Sequence, residues 1–260
     1  MRARAPYLLQ DFAPSISARR LKKSFARGLA RAARRTLAID EIDLDLRPGE
    51  ILGIAGGESA GKTTLLQCLC GLLRPDSGSL ELFGERLDAG ICPPQVAYVP
   101  AVPVYYPFLS VMDVLELRLA RNLFSPRRES LVDRSLSLLD LGSVAGCRIG
   151  ALPKDVLRRV ALAEAFVGGP DVVLADTNAS DLMPPFSSAA LSALEQHAAE
   201  GCTAVVASRE VASIASVANR ILLLDSGRIV RTFAIESYGE PIIPDTFPPV
   251  GKRFVAERVH

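Results

Sequence analysis

The nine residues Gly56, Gly57, Glu58, Ser59, Ala60, Gly61, Lys62, Thr63 and Thr64 match the pattern G-x-x-x-x-G-K-[ST], and no other stretch limits the fold of this chain as much. The pattern works only where a strand feeds a tight loop and the loop opens a helix. Glycines let successive backbone N–H groups turn inward around a phosphate chain, the lysine neutralises the outer phosphates, and the Thr63 hydroxyl is placed to ligate Mg²⁺. The flanks fit. Residues 50–55 (Glu-Ile-Leu-Gly-Ile-Ala) form a short apolar run suited to a buried parallel strand, and residues 62–73 carry Leu65, Leu66, Leu69, Leu72 and Leu73 at helical spacing. An α/β fold follows.

A second half of a nucleotide site comes about 114 residues after Lys62, where the apolar run 171–175 ends in Asp176. An aspartate closing such a strand holds Mg²⁺, often through water, which pairs Asp176 with Thr63; the competing reading is an N-cap or turn aspartate. Buried strands are expected at 203–207 and 220–225, a helix at 188–197, and a hairpin turn at Ser226-Gly227 leading into 228–230. Upstream, Ile42, Leu44 and Leu46 alternate with Asp43 and Asp45, the mark of a half-exposed antiparallel strand over 37–46. Short strands are expected at 80–83 and 96–99. From Val111 to about Val167 the apolar spacing turns helical, in segments 111–123, 129–141 and 156–166 broken by Pro126 and Pro153. This reads as a helical subdomain inserted into the sheet domain.

At 260 residues and a formal charge of +1, the chain can bury a large core and has no general affinity for nucleic acid. Basic residues are nevertheless concentrated between Arg2 and Arg35, with Asp11 the only acid there. They read either as a solvated arm and loop or as a contact to anionic lipid headgroups. The five cysteines (Cys68, Cys70, Cys92, Cys147, Cys202) show no C-x-x-C spacing and read as buried small hydrophobes in a reducing compartment. Residues 1–13 lack a signal-peptide core, and no run reaches membrane-spanning length. A cytoplasmic protein is expected, touching a membrane only through another chain.

With these elements in hand, the chain resembles the ATP-binding subunit of ABC transporters from about Ile16 to Ala234. The phrases that carry the resemblance are collinear: Leu-Asp-Leu-Arg-Pro-Gly-Glu at 44–50, Leu-Leu-Arg-Pro-Asp-Ser-Gly at 72–78, Val-Ala-Leu-Ala at 160–163 and Leu-Leu-Asp-Ser-Gly-Arg-Ile at 223–229. The resemblance implies a P-loop ABC-ATPase fold with a mixed sheet core, an inserted helical subdomain at about 102–168 and an antiparallel β subdomain. Residues 1–15 would be an arm, 16–236 the ATP-binding domain and 237–260 a proline-rich tail. It implies ATP and Mg²⁺ as cofactors. It also places Phe25 where the family stacks an aromatic on adenine, against the competing reading of a core phenylalanine.

The same alignment shows departures at the family's catalytic positions. Thr177 stands where a glutamate activates water, and a hydroxyl cannot act as general base at neutral pH; loss of such a base costs roughly 10²- to 10⁴-fold. Ala101 replaces the glutamine that senses metal and water. Arg209 replaces the switch histidine; it could pair with a phosphate but cannot relay a proton as imidazole does. The LSGGQ signature aligns with Leu152, Pro153, Lys154, Asp155 and Val156, where Pro153 removes an N–H and Asp155 turns a carboxylate toward polyphosphate. The segment Ser180-Asp181-Leu182-Met183 ends in methionine where the family has aspartate.

The resemblance therefore implies a subunit that binds ATP while hydrolysing it weakly or not at all. It would sit on the inner face of a cell membrane, docked through residues 102–109 on a permease and paired with a second ABC ATPase subunit. Tyr105, Tyr106 and Phe108 are the expected docking aromatics, with core packing the alternative, above all for Phe108. Two other readings stand beside this one: a soluble pseudo-ATPase that senses or scaffolds through ATP, and a working ATPase that tolerates unusual residues.

Overall fold

The computed structural model describes residues 13–27, 34–88, 90–120, 128–177, 186–209 and 211–235. The arm before Ala13, the tail from 236 onward, Pro126 and the Ser180–Met183 segment lie outside the described residues. Two sheets form the frame. Strands β1 (Ile16–Arg27), β2 (Arg34–Leu46), β4 (Ser77–Leu82) and β5 (Glu85–Arg86) make an antiparallel sheet in the order β2-β1-β4-β5. Strands β3 (Ile51–Ala55), β6 (Val96–Val99), β7 (Val172–Asp176), β8 (Thr203–Ser208), β9 (Arg220–Asp225) and β10 (Arg228–Ala234) make the second, in the order β10-β9-β3-β8-β7-β6. It is parallel except for the β9–β10 hairpin.

The apolar runs of the second sheet are continuous because both its faces are covered. On β7, Val172 and Leu174 pack toward the antiparallel sheet and helix α1 (Lys62–Leu69), while Val173 and Ala175 pack toward the helical side. That side is built from α2 (Val111–Ala120), α3 (Arg128–Leu138) and α4 (Lys154–Val167), together with α5 (Ser188–Ala199) and the short α6 (Ala212–Ala215). Helix α2 opens on a reciprocal cap: the Asp113 N–H donates to Ser110 Oγ and the Ser110 N–H donates to Asp113 Oδ2. Among the described residues no helix is long and apolar enough to cross a membrane.

Several elements depart from sequence expectation. Helix α1 stops at Leu69 rather than 73, because Gly71 at φ 77° turns the chain out of the helix. Strand β4 ends at Leu82, since Phe83 (φ 50°) and Gly84 (φ 82°) form the two-residue turn into β5. The largest departure is β1, where basic residues read as arm or loop form a twelve-residue strand. Their charges are matched across the sheet. Arg19 makes a two-pronged pair with Asp45 (2.7 and 2.8 Å), Arg20 pairs with Glu41, Lys22 with Asp40 and Glu41, and Lys23 with Asp76. Exposed pairs of this kind contribute about 0–1 kcal/mol each. They leave these four side chains with acidic partners inside the protein. The cysteines also divide: Cys68, Cys70 and Cys202 are buried as expected, but Cys92 is half-buried and Cys147 exposed.

Candidate nucleotide site

The phosphate loop runs from the end of β3 to the start of α1 and is held by packing as much as by its own turns. A Cβ on Gly56 would lie 2.3 Å from the Leu224 carbonyl oxygen, and one on Gly61 would lie 2.2 Å from that of Ala38. Gly61 also adopts φ 104°, a conformation that side chains resist. The β9–β10 turn closes over the loop: the Gly227 N–H donates to the Ala60 carbonyl and the Asp40 N–H donates to that of Gly227. The loop is thus clamped between β2 and β9.

Lys62 is buried, 3% exposed, and its Nζ donates to the Gly56 carbonyl at 2.8 Å and the Gly57 carbonyl at 2.7 Å. Burial pushes its ammonium down to about 8; Asp176 pulls it back up, Arg209 pushes it down and Glu58 pulls it up. A desolvated cation held only by the carbonyls of its own loop is a cradle short of negative charge. A polyphosphate fits that need.

Thr63 Oγ1 donates to Asp176 Oδ2 at 2.5 Å, so the two groups expected to flank Mg²⁺ do meet. Asp176 is fully buried. No cluster of three or more His, Cys, Asp or Glu side chains capable of holding a metal occurs among the described residues. One carboxylate and one hydroxyl suit an ion that takes its remaining ligands from phosphate and water, as Mg²⁺ does. Glu58 and Ser59 are exposed on the loop, Ala60 is buried, and Thr64 is half-buried on α1.

The three positions expected to depart from the family pattern are distributed around the same edge. Thr177 is 2% exposed, and its Oγ1 and N–H both donate to the Ala207 carbonyl at 2.8 Å, so the hydroxyl is turned back into the sheet. Ala101 is half-buried just past β6, and Arg209 is exposed just past β8. Pro153 is the N-cap of α4, which begins at Lys154 with Asp155 in its first turn. Asp155 lies 3.9 Å from Arg159 one turn on. Its carboxylate occupies the end of the helix dipole where an anion would otherwise be drawn.

Phe25 is 43% exposed rather than part of the core, with Lys23 Nζ 5.7 Å from its ring centroid. The expected docking aromatics divide in an unexpected way. Tyr106 and Phe108 are 68% and 67% exposed and stack at 5.5 Å, while Tyr105 packs inward and its hydroxyl donates to Glu164 at 2.8 Å. Burial and the Glu164 charge both push the Tyr105 phenol up. Tyr105 therefore belongs to the sheet–helix packing and Phe108 does not, the reverse of the sequence expectation. Val102 and Val104 continue the exposed row. A groove of about 900 Å³ begins at Leu109 and is lined by Met112, Leu117, Leu119 and Val132 together with Asp113, Glu116 and Asp133.

One residue behind the site escaped sequence reasoning. Arg158 on α4 is 3% exposed and its Nη1 donates to the Asp176 carbonyl at 3.2 Å. Its guanidinium lies 5.7 Å from the Phe186 ring centroid, and its Nε and Nη2 have no hydrogen-bond partner among the described residues. Its sequence neighbours Leu157 and Arg159 gave no signal that set it apart from a surface arginine.

The sequence profile of the family described as ABC transporter matches residues 39–180. The methionine import ATP-binding protein MetN of Mesorhizobium japonicum is 34% identical over 207 residues, 75% of this chain and 56% of that protein. The chain thus spans little more than half the length of that relative. The Nod factor export ATP-binding protein I of Cupriavidus metallidurans is 27% identical over 84% of this chain and 78% of its own length. Among solved structures, the dimeric ATP-binding cassette MJ0796 in a post-hydrolysis state with ADP and Pi superposes with a TM-score of 0.74. It is 19% identical, covering 86% of this chain and all of that one, which carries the fold.

Proposed function

The chain belongs to the ABC transporter family as an ATP-binding domain, and from that premise we propose that it is a degenerate ATP-binding subunit of an ABC transporter. It binds Mg-ATP, couples that binding to a membrane permease on the inner face of the membrane, and hydrolyses weakly or not at all. Its working partner is a second, more complete ABC ATPase subunit. The relatives named above are described by both import and export, so the proposal names a nucleotide role rather than a cargo.

One contrast carries the proposal. The binding half of the site is assembled, with Lys62 desolvated in the loop and Thr63 against Asp176. The position beside it holds Thr177, whose hydroxyl is spent on the Ala207 carbonyl. The inward N–H groups of the loop would hold the phosphates, Lys62 would neutralise them, Thr63 and Asp176 would position Mg²⁺, and exposed Phe25 would stack on the base. Mg²⁺ supplies charge neutralisation across the phosphate oxygens. Neither Thr177 nor Ala101 offers a base to take a proton from water. The proline cap and Asp155 at the head of α4 support the view that this surface does not clamp a partner's nucleotide.

Coupling is assigned to the exposed row Val102, Val104, Tyr106 and Phe108 with the adjoining apolar and acidic groove. That composition suits an amphipathic permease segment carrying basic residues. The working boundaries are 16–236 for the ATP-binding domain, with the helical part at about 102–168. Co-expression with a candidate permease tests the reading. Recovery of a complex in detergent supports it, and recovery of an ATP-binding chain without any membrane protein supports the soluble pseudo-ATPase instead.

A further inference from the structure

We propose that Cys70 and Cys92 are a redox modification site, a thiol pair that a hydroperoxide closes to a reversible disulfide at the neck of the segment carrying β4 and β5. No C-x-x-C spacing announces the pair; the fold makes it. Cys70 is the C-cap of α1, and Gly71 turns the chain out of the helix at φ 77°. The chain runs out through β4 and β5 and returns beside its own starting point. There the Gly90 N–H donates to the Gly71 carbonyl at 2.8 Å, and a Cβ on Gly71 would lie 3.1 Å from the Ile91 carbonyl oxygen. Cys70 and Cys92 are the next residues on either side of this backbone contact. Cys92 packs against the apolar cluster that buries Cys70, and the two thiols lie in hydrogen-bond contact with each other.

The two sulfurs are not equivalent. Cys70 is fully buried, its Sγ donates to the Gln67 carbonyl at 3.4 Å, and the neighbouring Cys92 thiol and burial together hold it in the protonated form. Cys92 is half-buried on the lead into β6, with its Sγ donating to the Val96 carbonyl at 3.3 Å. Only a thiolate attacks an oxidant, and only an accessible sulfur meets one, so the first step belongs to Cys92. Its thiolate sulfur bonds to one peroxide oxygen, the O–O bond breaks, and the leaving oxyanion takes a proton; Cys92 is then a sulfenic acid. The Cys70 sulfur attacks the Cys92 sulfur, the S–O bond breaks, and the departing hydroxide leaves as water with the Cys70 proton. Two electrons have passed from the thiols to the peroxide. A dithiol reductant reverses the bond by exchange. The disulfide ties the loop bearing β4 and β5 to the end of α1, which restricts the unfolded chain and so stabilises the native one. Neither thiol belongs to the nucleotide site, so the outcome does not turn on ATP binding.

The test treats the folded full chain with hydrogen peroxide, quenches, alkylates in denaturant and maps the unreduced digest by mass spectrometry. We expect a peptide linked through Cys70 and Cys92, alkylation retained at buried Cys68 and Cys202, and a melting temperature raised by about 5 °C or more that a dithiol returns to its starting value. Cys92→Ser and Cys70→Ala should each abolish the linkage and the rise. The wild-type map decides by itself if Cys70→Ala, at a buried position, fails to fold. Peroxide that leaves both thiols open to alkylation, that carries Cys92 to sulfinic or sulfonic acid without linkage, or that modifies only the exposed Cys147 overturns the pair. A linkage that forms only in denaturant, or one that fails to raise the melting temperature, overturns it as well.

Discussion

Thr63 Oγ1 lies 2.5 Å from Asp176 Oδ2, across 113 residues of sequence, at the point where α1 begins and β7 ends. Neither residue has meaning as a metal ligand alone. Together, in the function proposed above, they would hold Mg²⁺, with phosphate and water completing its ligands.

The first prediction follows from that pair. Mg-ATP affinity should fall when Mg²⁺ is withdrawn by chelation, and Asp176→Asn should show little further fall under the same treatment. Calorimetry with and without chelator measures both. Wild-type affinity indifferent to Mg²⁺ would remove the metal role.

Lys62 gives a prediction in pH. Its native value of about 8 lies below the ordinary 10.5, so between those values the unfolded chain holds a proton that the native state has released. Stability of the nucleotide-free protein then rises with pH through that window, and the burial penalty is fully present below about 8. Lys62→Met should therefore exceed wild type in stability by about 1–3 kcal/mol near pH 7, with the gap closing toward pH 10.5. Urea unfolding at several pH values reads it, and a gap independent of pH contradicts it. Lys62→Ala should abolish Mg-ATP binding. Wild-type binding near pH 8 should also take up a fraction of a proton, because phosphate charge raises the ammonium again.

Turnover is the third. The purified chain should release phosphate at no more than background. Thr177→Glu alone should stay nearly inactive, because catalytic groups that act as a unit contribute non-additively and Ala101 and Arg209 remain unsuited. Only combination with Ala101→Gln, Arg209→His and a rebuilt signature at 153–156 should recover it. Wild-type steady-state release at about 1–10³ s⁻¹, abolished by Lys62→Ala, would overturn the degenerate reading.

The docking face gives the fourth. Replacing Tyr106 and Phe108 with serine should weaken association with a permease while melting temperature and ATP affinity stay near wild type, since both rings are exposed. Tyr105→Phe should do the opposite, costing about 1 kcal/mol of stability by removing the hydrogen bond to Glu164 and leaving association unchanged. Loss of stability in the Tyr106 and Phe108 variant would return those rings to the core.

Where sequence reading fell short, the missing information was distant in the chain. The basic residues of β1 hid its alternation of Ile16, Ala18 and Leu21, further blurred by register shifts after Ala18 and Leu21. The acids that neutralise those residues sit on β2 and before β4, and of these only Asp45 was read, as part of a solvent face. The even spacing of Val102, Val104, Tyr106 and Phe108 was visible, but which alternate side faced solvent depended on Glu164, far along α4.

The sequence alone determined the α/β class, the strand–loop–helix around Gly56 to Thr64 and the buried strand that ends at Asp176, and it raised the expectation that Thr177, Ala101 and Arg209 depart from the family pattern. These are short-range matters of spacing and residue chemistry. The tertiary structure alone decided that Thr63 touches Asp176, that Thr177 turns its hydroxyl into the sheet, and that Arg209 emerges beside the phosphate loop. It also gave Gly56 and Gly61 a second reason to be glycine, since the backbones of Leu224 and Ala38 leave no room for a Cβ. These contacts depend on the register of parallel strands joined by long crossovers and, for Gly61, on how β2 packs against the loop, which the whole core sets and no local pattern encodes.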